Sequence, residues 1–183
     1  MNRVPTDIPD VWIIEPQVFS DPRGFFMETY HLQKLQALGL DEIFVQDNHS
    51  GSTQGTLRGL HYQLRQTQGK LVRVVSGEVY DVAVDLRRRS PTFGRWTGAR
   101  LSAENKRMMW VPAGFAHGFY TLSTWAELLY KVTDYYAPDW ERTLHWNDPA
   151  IGIDWPLVDG QPPNLSPKDQ LGRLLADAET FDG

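Results

Sequence analysis

Short apolar and β-branched runs separated by turn signals recur along this chain: VWIIEP, FFMETY, EIFVQD, KLVRVV, EVYDVAVDL, MMWVP, GFYTL and ELLYKVTDYY. Each suits a strand of ordinary length, and a chain that keeps turning back after such runs builds an antiparallel sandwich or barrel. The expected fold is therefore mainly β with short flanking helices. The clearest unit is KLVRVV-SG-EVYDVAVDL, where Ser76 and Gly77 form a two-residue connection that predicts a hairpin. Along its second arm Tyr80, Val82, Val84 and Leu86 point one way and Asp81, Ala83 and Asp85 the other, with one face in the core. HLQKLQALG predicts a helix with Leu32, Leu35 and Leu38 on one side and Gly39 as its stop. SPKDQLGRLLADAETF predicts a second, opening on a Ser cap with Pro in the first turn.

The 183 residues, 41% hydrophobic, suffice for one well-buried core. Residues 1–183 are expected to form a single domain, with a helical segment from about residue 166 reached through the connector DGQPPNLSP. Lys plus Arg number 18 against 23 Asp plus Glu, and the net charge of −5 opposes non-specific attraction to nucleic acid or an anionic membrane. A small anion could still be held where a few arginines converge. Arg87 to Arg89 are expected on a solvated turn. The chain has no cysteine, which removes disulfides, thiolate nucleophiles and Cys-type zinc sites. MNRVPTDIPDVW has no apolar signal-like core, and no window approaches the ~20 apolar residues of a membrane span. A soluble, cytoplasmic protein is expected.

Two segments concentrate the chemistry. In TLRGLHYQ, Arg58 and His61 stand three apart in a strand-like stretch with Gly59 between them. An odd separation sends two side chains to opposite faces of a regular strand, and a bulge at Gly59 would reconcile them. In MMWVPAGFAHGFYTL, PAGFAHG is a tight turn carrying His117, and it resembles the second signature of the cupin barrel, Pro-x-Gly-x-x-His. In metal-binding cupins that histidine joins a His-x-His and a Glu from the first signature. Here the corresponding place reads His61, Tyr62, Gln63, with Lys70 near the acidic position, so the ligand set is broken and no metal is expected. His61 is then free to act as a base.

A wider set of motifs, FSDPRGFFMETY, FVQDNHS, LRGLHYQ, QGKLVRVVSGEVYDVAVDLRRRSPTFGRW, LSAENKRMMWVPAGFAHGF, ELLYKVTDYYAPDWE, WNDPAIGIDWP and LSPKD, resembles the dTDP-4-dehydrorhamnose 3,5-epimerase family, in the family's order and over nearly the whole chain. The resemblance implies a cupin-type antiparallel β-barrel (jelly roll) that acts as a homodimer, inverting C3 and C5 of dTDP-4-dehydro-6-deoxy-D-glucose without a cofactor. Such a reaction has identifiable needs. A base must take a weakly acidic proton α to the ketone while a cation or donor holds the enolate oxygen, and a second group must return a proton from the opposite face. Histidine suits the base at neutral pH, especially when a carboxylate orients its ring. By resemblance the base is His61, the carboxylate Asp169, the group by the C4 oxygen Lys70 and the opposing acid Tyr130. Arg23 and Arg58 match the family's diphosphate-binding positions, where arginine's planar fork suits phosphate oxygens. Tyr136 matches a stack for the thymine ring, and Glu28, Gln46, Asp47, Asn48, His117, Glu141 and Lys168 match further substrate-binding positions.

Taken singly, each of these residues has a plainer reading. Ser166-Pro-Lys-Asp169 fits a capping box, which would use Asp169 without catalysis, although a carboxylate has two oxygens and can do both. His61 and His117 could be hydrogen-bonded structural residues, Tyr130 a packed aromatic, Lys70 a solvated strand end and Arg23 part of a turn. Three rival functions remain: a sibling that epimerises one carbon or isomerises the keto group, a non-catalytic sugar-nucleotide-binding cupin, and a metal-dependent cupin oxygenase.

Overall fold

The computed structural model describes residues 1–182. Over these the chain runs β1 (Asn2–Pro5), β2 (Trp12–Glu15), β3 (Val18–Asp21), β4 (Gly24–Met27), α1 (Leu32–Ala37), β5 (Gln46–Thr53), β6 (Leu57–Gln63), β7 (Lys70–Ser76) and β8 (Glu78–Asp85). It continues with β9 (Trp96–Ser102), β10 (Met108–Val111), β11 (Phe115–Thr121), β12 (Trp125–Val132), β13 (Glu141–Thr143) and α2 (Pro167–Gln170). Two antiparallel sheets face each other, one in the order β1-β2-β10-β7-β12-β5 and the other β13-β6-β11-β8-β9, while β3 and β4 form a separate hairpin. This is the expected mainly β, cupin-type barrel. Among the described residues no helix is long and apolar enough to cross a membrane.

Strand alternation sorts the side chains into three apolar clusters. Between the sheets lie Val72 and Val74 of β7, Val79 and Ala83 of β8, Met109, Phe115, Phe119 and Leu128. Outside the five-stranded sheet, Val82, Val84, Leu86, Leu57, Leu60 and Tyr62 pack under Ile151, Ile153, Trp155 and Ala178 of the C-terminal segment. Outside the six-stranded sheet, Trp12, Leu71 and Trp110 are covered by Leu35 of α1. The two faces of β8 are therefore both core, where one was expected, because the C-terminal segment covers the side that an uncovered sheet would leave wet. Asp81 and Asp85, on its inner face, are both fully buried.

The Ser76-Gly77 connection is not a hairpin. β7 pairs with β10 and β12, and β8 with β11 and β9, so the two residues carry the chain from one sheet to the facing one. Gly77 has φ +71, and a Cβ there would lie 2.0 Å from the Trp125 carbonyl oxygen and 3.0 Å from Ala126 Cα. The Ser123 hydroxyl, 2.3 Å away, can rotate aside, but these two obstacles are backbone. Gly77→Ala should therefore lower stability by about 3 kcal/mol or more through combined φ strain and overlap, read as a fall of roughly 10 °C in Tm by calorimetry. An unchanged Tm would mean that this corner relaxes freely.

α1 forms as expected and stops at Gly39, φ +95. The second helix is one turn only. After α2 the backbone is taken up by other partners: Arg173 N–H donates to Thr143 O at 2.9 Å, His145 N–H to Arg173 O at 2.7 Å, and Leu175 N–H to an Asp148 carboxylate oxygen at 2.6 Å. These tertiary bonds displace the i to i−4 ladder. Arg87 also departs from expectation. It forms a half-buried ion pair with Asp85 at 2.7 Å and stacks on Phe115, while Arg88 and Arg89 are the exposed members of the run.

Candidate active site

Two facing sheets bring His61 and Tyr130 to the open end of the barrel from opposite walls, His61 on β6 and Tyr130 on β12. Both line a cavity of about 640 Å³ and an adjoining one of about 290 Å³, and so does Lys70 of β7. The convergence depends on Gly59. Between the pairs Phe119↔Arg58 and His117↔His61, β6 advances three residues while β11 advances two. This is a bulge, and it places Arg58 and His61 on the same inner face. A Cβ at Gly59, φ +121, would lie 2.6 Å from Gly118 Cα and 2.7 Å from His117 O, so only glycine admits this approach.

His61 Nε2 lies 2.5 Å from Asp169 Oδ1. An ionised carboxylate can only accept, so Nε2 carries the proton and Nδ1 is the nitrogen left to act as base. Asp169 serves as cap and partner at once: its N–H donates to Ser166 Oγ at 3.2 Å, and Ser166 Oγ–H donates to Oδ2 at 2.7 Å. Burial would raise the Asp169 carboxyl, but hydrogen bonds from His61, Ser166 and the Gly59 N–H outweigh it and hold the group below the usual carboxylate range. The carboxylate stays charged when the ring needs it.

Lys70 is 7% exposed, and its Nζ donates to His61 O at 3.2 Å. Burial pushes its ammonium down to about 8, against the opposing pull of Asp81 and Glu141. The Tyr130 hydroxyl has no hydrogen-bond partner among the described residues, and burial raises its pKa, so it remains a proton donor at neutral pH. Arg58 is tied down by Nε to Ser52 Oγ at 2.9 Å and Nη2 to Gly51 O at 3.0 Å. His117, in register with His61, lines the larger cavity and places Nε2 2.9 Å from Asp81 Oδ1.

The smaller cavity carries a second group. The Tyr136 hydroxyl donates to Glu141 Oε2 at 2.8 Å, Lys168 Nζ lies 2.5 Å from that oxygen, and Tyr136 N–H donates to Gln46 Oε1 at 3.0 Å. Gln46 Nε2 in turn donates to Asn48 Oδ1 at 2.8 Å. Asp47, between them, alternates to the opposite face of β5 and pairs with Lys131 at 2.9 Å. Arg23 and Glu28 are also not gathered. Arg23, its side chain 90% exposed, caps the β3–β4 turn against Asp21, and Glu28 pairs with Lys34; neither lines either cavity.

Three supporting residues escaped the sequence reading. Gln63 donates from Nε2 to Gln66 O and Tyr135 O and accepts from Ala137 N–H, so it fastens the loop that carries Tyr136. Ser52 holds Arg58. Asp81 is a carboxylate among inward apolar positions of a strand, an oddity that could have flagged it. Nothing local marks the other two. Among the described residues no group of three His, Cys, Asp or Glu side chains converges as a metal site.

This geometry has counterparts in known proteins. The family described as dTDP-4-dehydrorhamnose 3,5-epimerase matches residues 5–177. The dTDP-4-dehydrorhamnose 3,5-epimerase of Pseudomonas aeruginosa is 63% identical over 95% of this chain and 96% of its own. That of Salmonella typhimurium is 58% identical over 97% of each. A crystal structure of the dTDP-6-deoxy-D-glucose-3,5-epimerase of Legionella pneumophila, in complex with dTDP-4-keto-L-rhamnose, superimposes with TM-score 0.94 at 54% identity, covering 97% of this chain and 94% of that one. Strands β2 to β13 and α2 all lie inside the matched residues 5–177, and the chain belongs to the dTDP-4-dehydrorhamnose 3,5-epimerase family.

Proposed function

We infer that the protein epimerises dTDP-4-dehydro-6-deoxy-D-glucose at C3 and C5 to dTDP-4-dehydro-L-rhamnose, in the cytoplasm and without a cofactor. The observation that carries this reading is the opposition of His61 and Tyr130 on facing sheets around one cavity. His61 Nδ1 takes the proton from the carbon α to the ketone, and the electron pair of the broken C–H bond moves into the C4 carbonyl. The Lys70 ammonium stabilises the oxygen that becomes negative. Tyr130 then protonates the same carbon from the other face, the electron pair returns from oxygen, and the ketone re-forms inverted. The imidazolium and the phenolate are reset through solvent. C3 and C5 flank one carbonyl, so a single base and a single acid serve both. No electrons leave the substrate. Incubation with the keto sugar in D2O, followed by NMR at both carbons, should show deuterium entering with inversion at C3 and at C5. Inversion at one carbon alone would make the protein a single-carbon epimerase, and no exchange would make it a binding protein.

On this reading Tyr136 stacks on the thymine and Arg58 meets the diphosphate. Arg58→Ala should weaken dTDP binding by about 1.5–3 kcal/mol, roughly 10- to 150-fold in Kd by calorimetry. Undiminished binding would remove the phosphate role.

A homodimer completes the proposal. The β3–β4 hairpin belongs to neither barrel sheet and exposes Phe19, Phe25 and Phe26 by 54%, 58% and 65%. A two-stranded hairpin is marginal without a covering surface, and a second copy of this chain supplies one. Arg23 and Glu28, stranded at a distance from their own cavity, would then be delivered to that of the partner. Light scattering should give a dimer at micromolar concentration, and Phe26→Asp should shift it toward monomer. A monomeric parent would overturn the proposal.

A further inference from the structure

Asp81 takes no part in the mechanism above, yet it is placed beneath it. It is fully buried on the inner face of β8, and its two oxygens differ: Oδ1 faces His117 Nε2 at 2.9 Å, and Oδ2 is buried with no hydrogen-bond partner. A buried carboxylate so sparsely satisfied costs stability, and a fold retains that cost where the charge has a use. Its surroundings identify two uses. His117 makes no other side-chain hydrogen bond among the described residues and lines the larger cavity. Because the carboxylate only accepts, Nε2 must carry the ring proton, and Nδ1 is a bare acceptor suited to a sugar hydroxyl. The second use is electrostatic. Among the described residues no carboxylate is in ion-pair contact with the buried Lys70, so against the dominant effect of burial only more distant charges favour its ammonium form.

The charges facing Lys70 are Asp81 from β8, Glu141 from β13, and Lys168 with Asp169 from α2. His61, His117, Tyr130 and Arg58 share its cavity from β6, β11 and β12, while β10 contributes only Met, Trp and Val. Glu141 already pairs with Lys168 and Tyr136, and Asp169 with His61. Both Glu141 contacts fall on Oε2, but among these acidic groups it is Asp81 that has an oxygen sealed from solvent and without a partner among the described residues. It is also the strongest of the charges that oppose the effect of burial on Lys70.

Resting on the assignment of Lys70 as the cation beside the C4 oxygen, we propose that Asp81 is a positioning residue. It locks His117 in the Nε2–H tautomer, Nδ1 turned to the substrate, and supplies the counter-charge that keeps Lys70 an ammonium in the dry floor of the cavity. A purely structural carboxylate would do neither.

Nitrogen-15 NMR of histidine-labelled parent protein should show the Nε2–H tautomer at His117, and an Nδ1–H tautomer would overturn the proposal whether or not any variant folds. In folded Asp81→Asn, with the fold checked by circular dichroism, Lys70 titrated by lysine-labelled NMR should lose its proton at lower pH than in the parent. The sign follows from the charge: removing a negative neighbour favours the neutral amine, so the alkaline limb that Lys70 gives kcat/KM also moves to lower pH. A lower Tm with both the titration and the limb in place would make Asp81 merely structural. Tautomer and titration need no turnover. A parent that exchanges no solvent hydrogen into the keto sugar would defeat the epimerase reading while these two measurements still judge Asp81.

Discussion

His61→Ala is expected to abolish exchange of solvent deuterium into both C3 and C5, by at least the ~10²- to 10⁴-fold that a positioned general base contributes. Both carbons should fail together. They flank the same carbonyl, and two histidines at the cavity have one ring nitrogen held by a carboxylate and the other free, His61 on Asp169 at 2.5 Å and His117 on Asp81 at 2.9 Å; of the two, His61 alone lines both adjoining cavities together with Tyr130 and Lys70. The substitution should leave the fold standing. The His61 side chain is 28% exposed and lines a cavity, so truncation opens no sealed void, and Asp169 keeps its bonds from Ser166 and Gly59. Loss of the charge-assisted bond to the nearly buried Asp169 should cost about 1.5–3 kcal/mol of stability, and dTDP should still bind, since Arg58 and Tyr136 are anchored independently. Near-normal exchange in a folded variant would end the assignment of His61 as base.

Tyr130→Phe separates enolisation from inversion. The base, Lys70 and the nucleotide groups remain, so the α proton still leaves and the enolate still forms. What is lost is the phenol on the opposite sheet, and reprotonation then falls to His61 from the side it came from. Deuterium should enter with retained configuration while inversion drops by ~10²- to 10⁴-fold. Exchange should therefore outrun epimerisation in the same tube. The ring itself packs against the inter-sheet core, and phenylalanine preserves that packing. A residue that only packs would leave the ratio of inversion to exchange untouched, and that result would remove Tyr130 from the mechanism.

The strand-forming runs, both faces of β8 as a pair of alternating sets, and the cap at Ser166 were legible because they depend on neighbours in the chain. Alternation told correctly that Val82 and Val84 oppose Asp81 and Ala83; it could not tell that both sides would be covered, since the cover comes from Ile151 to Ala178, far along the chain. The same limit explains the misread Ser76-Gly77 connection. Two alternating runs around a short Gly-containing link satisfy every local condition for a hairpin, but β7 and β8 pair with other strands, β8 with residues 12 to 42 positions away and β7 with residues 35 to 62 away. Arg87 was read as solvated from its charge, and its buried partner Asp85 changed the outcome.

For the site, His61, Lys70, Tyr130 and Asp169 were named through the resemblance to the family, and the bulge at Gly59 was inferable from the odd spacing of Arg58 and His61. What the sequence by itself determined was the set of chemical groups and the local backbone that presents each one. Tertiary structure alone decided which of them meet. It put His61 and Tyr130 on opposite walls, buried Lys70 and Asp81, turned Asp47 away and left Arg23 on a separate hairpin. The physical reason is that side-chain direction follows from the two-residue period of a strand, whereas proximity across a barrel follows from which strands pair, and pairing is settled by the burial of whole sheets rather than by any one segment.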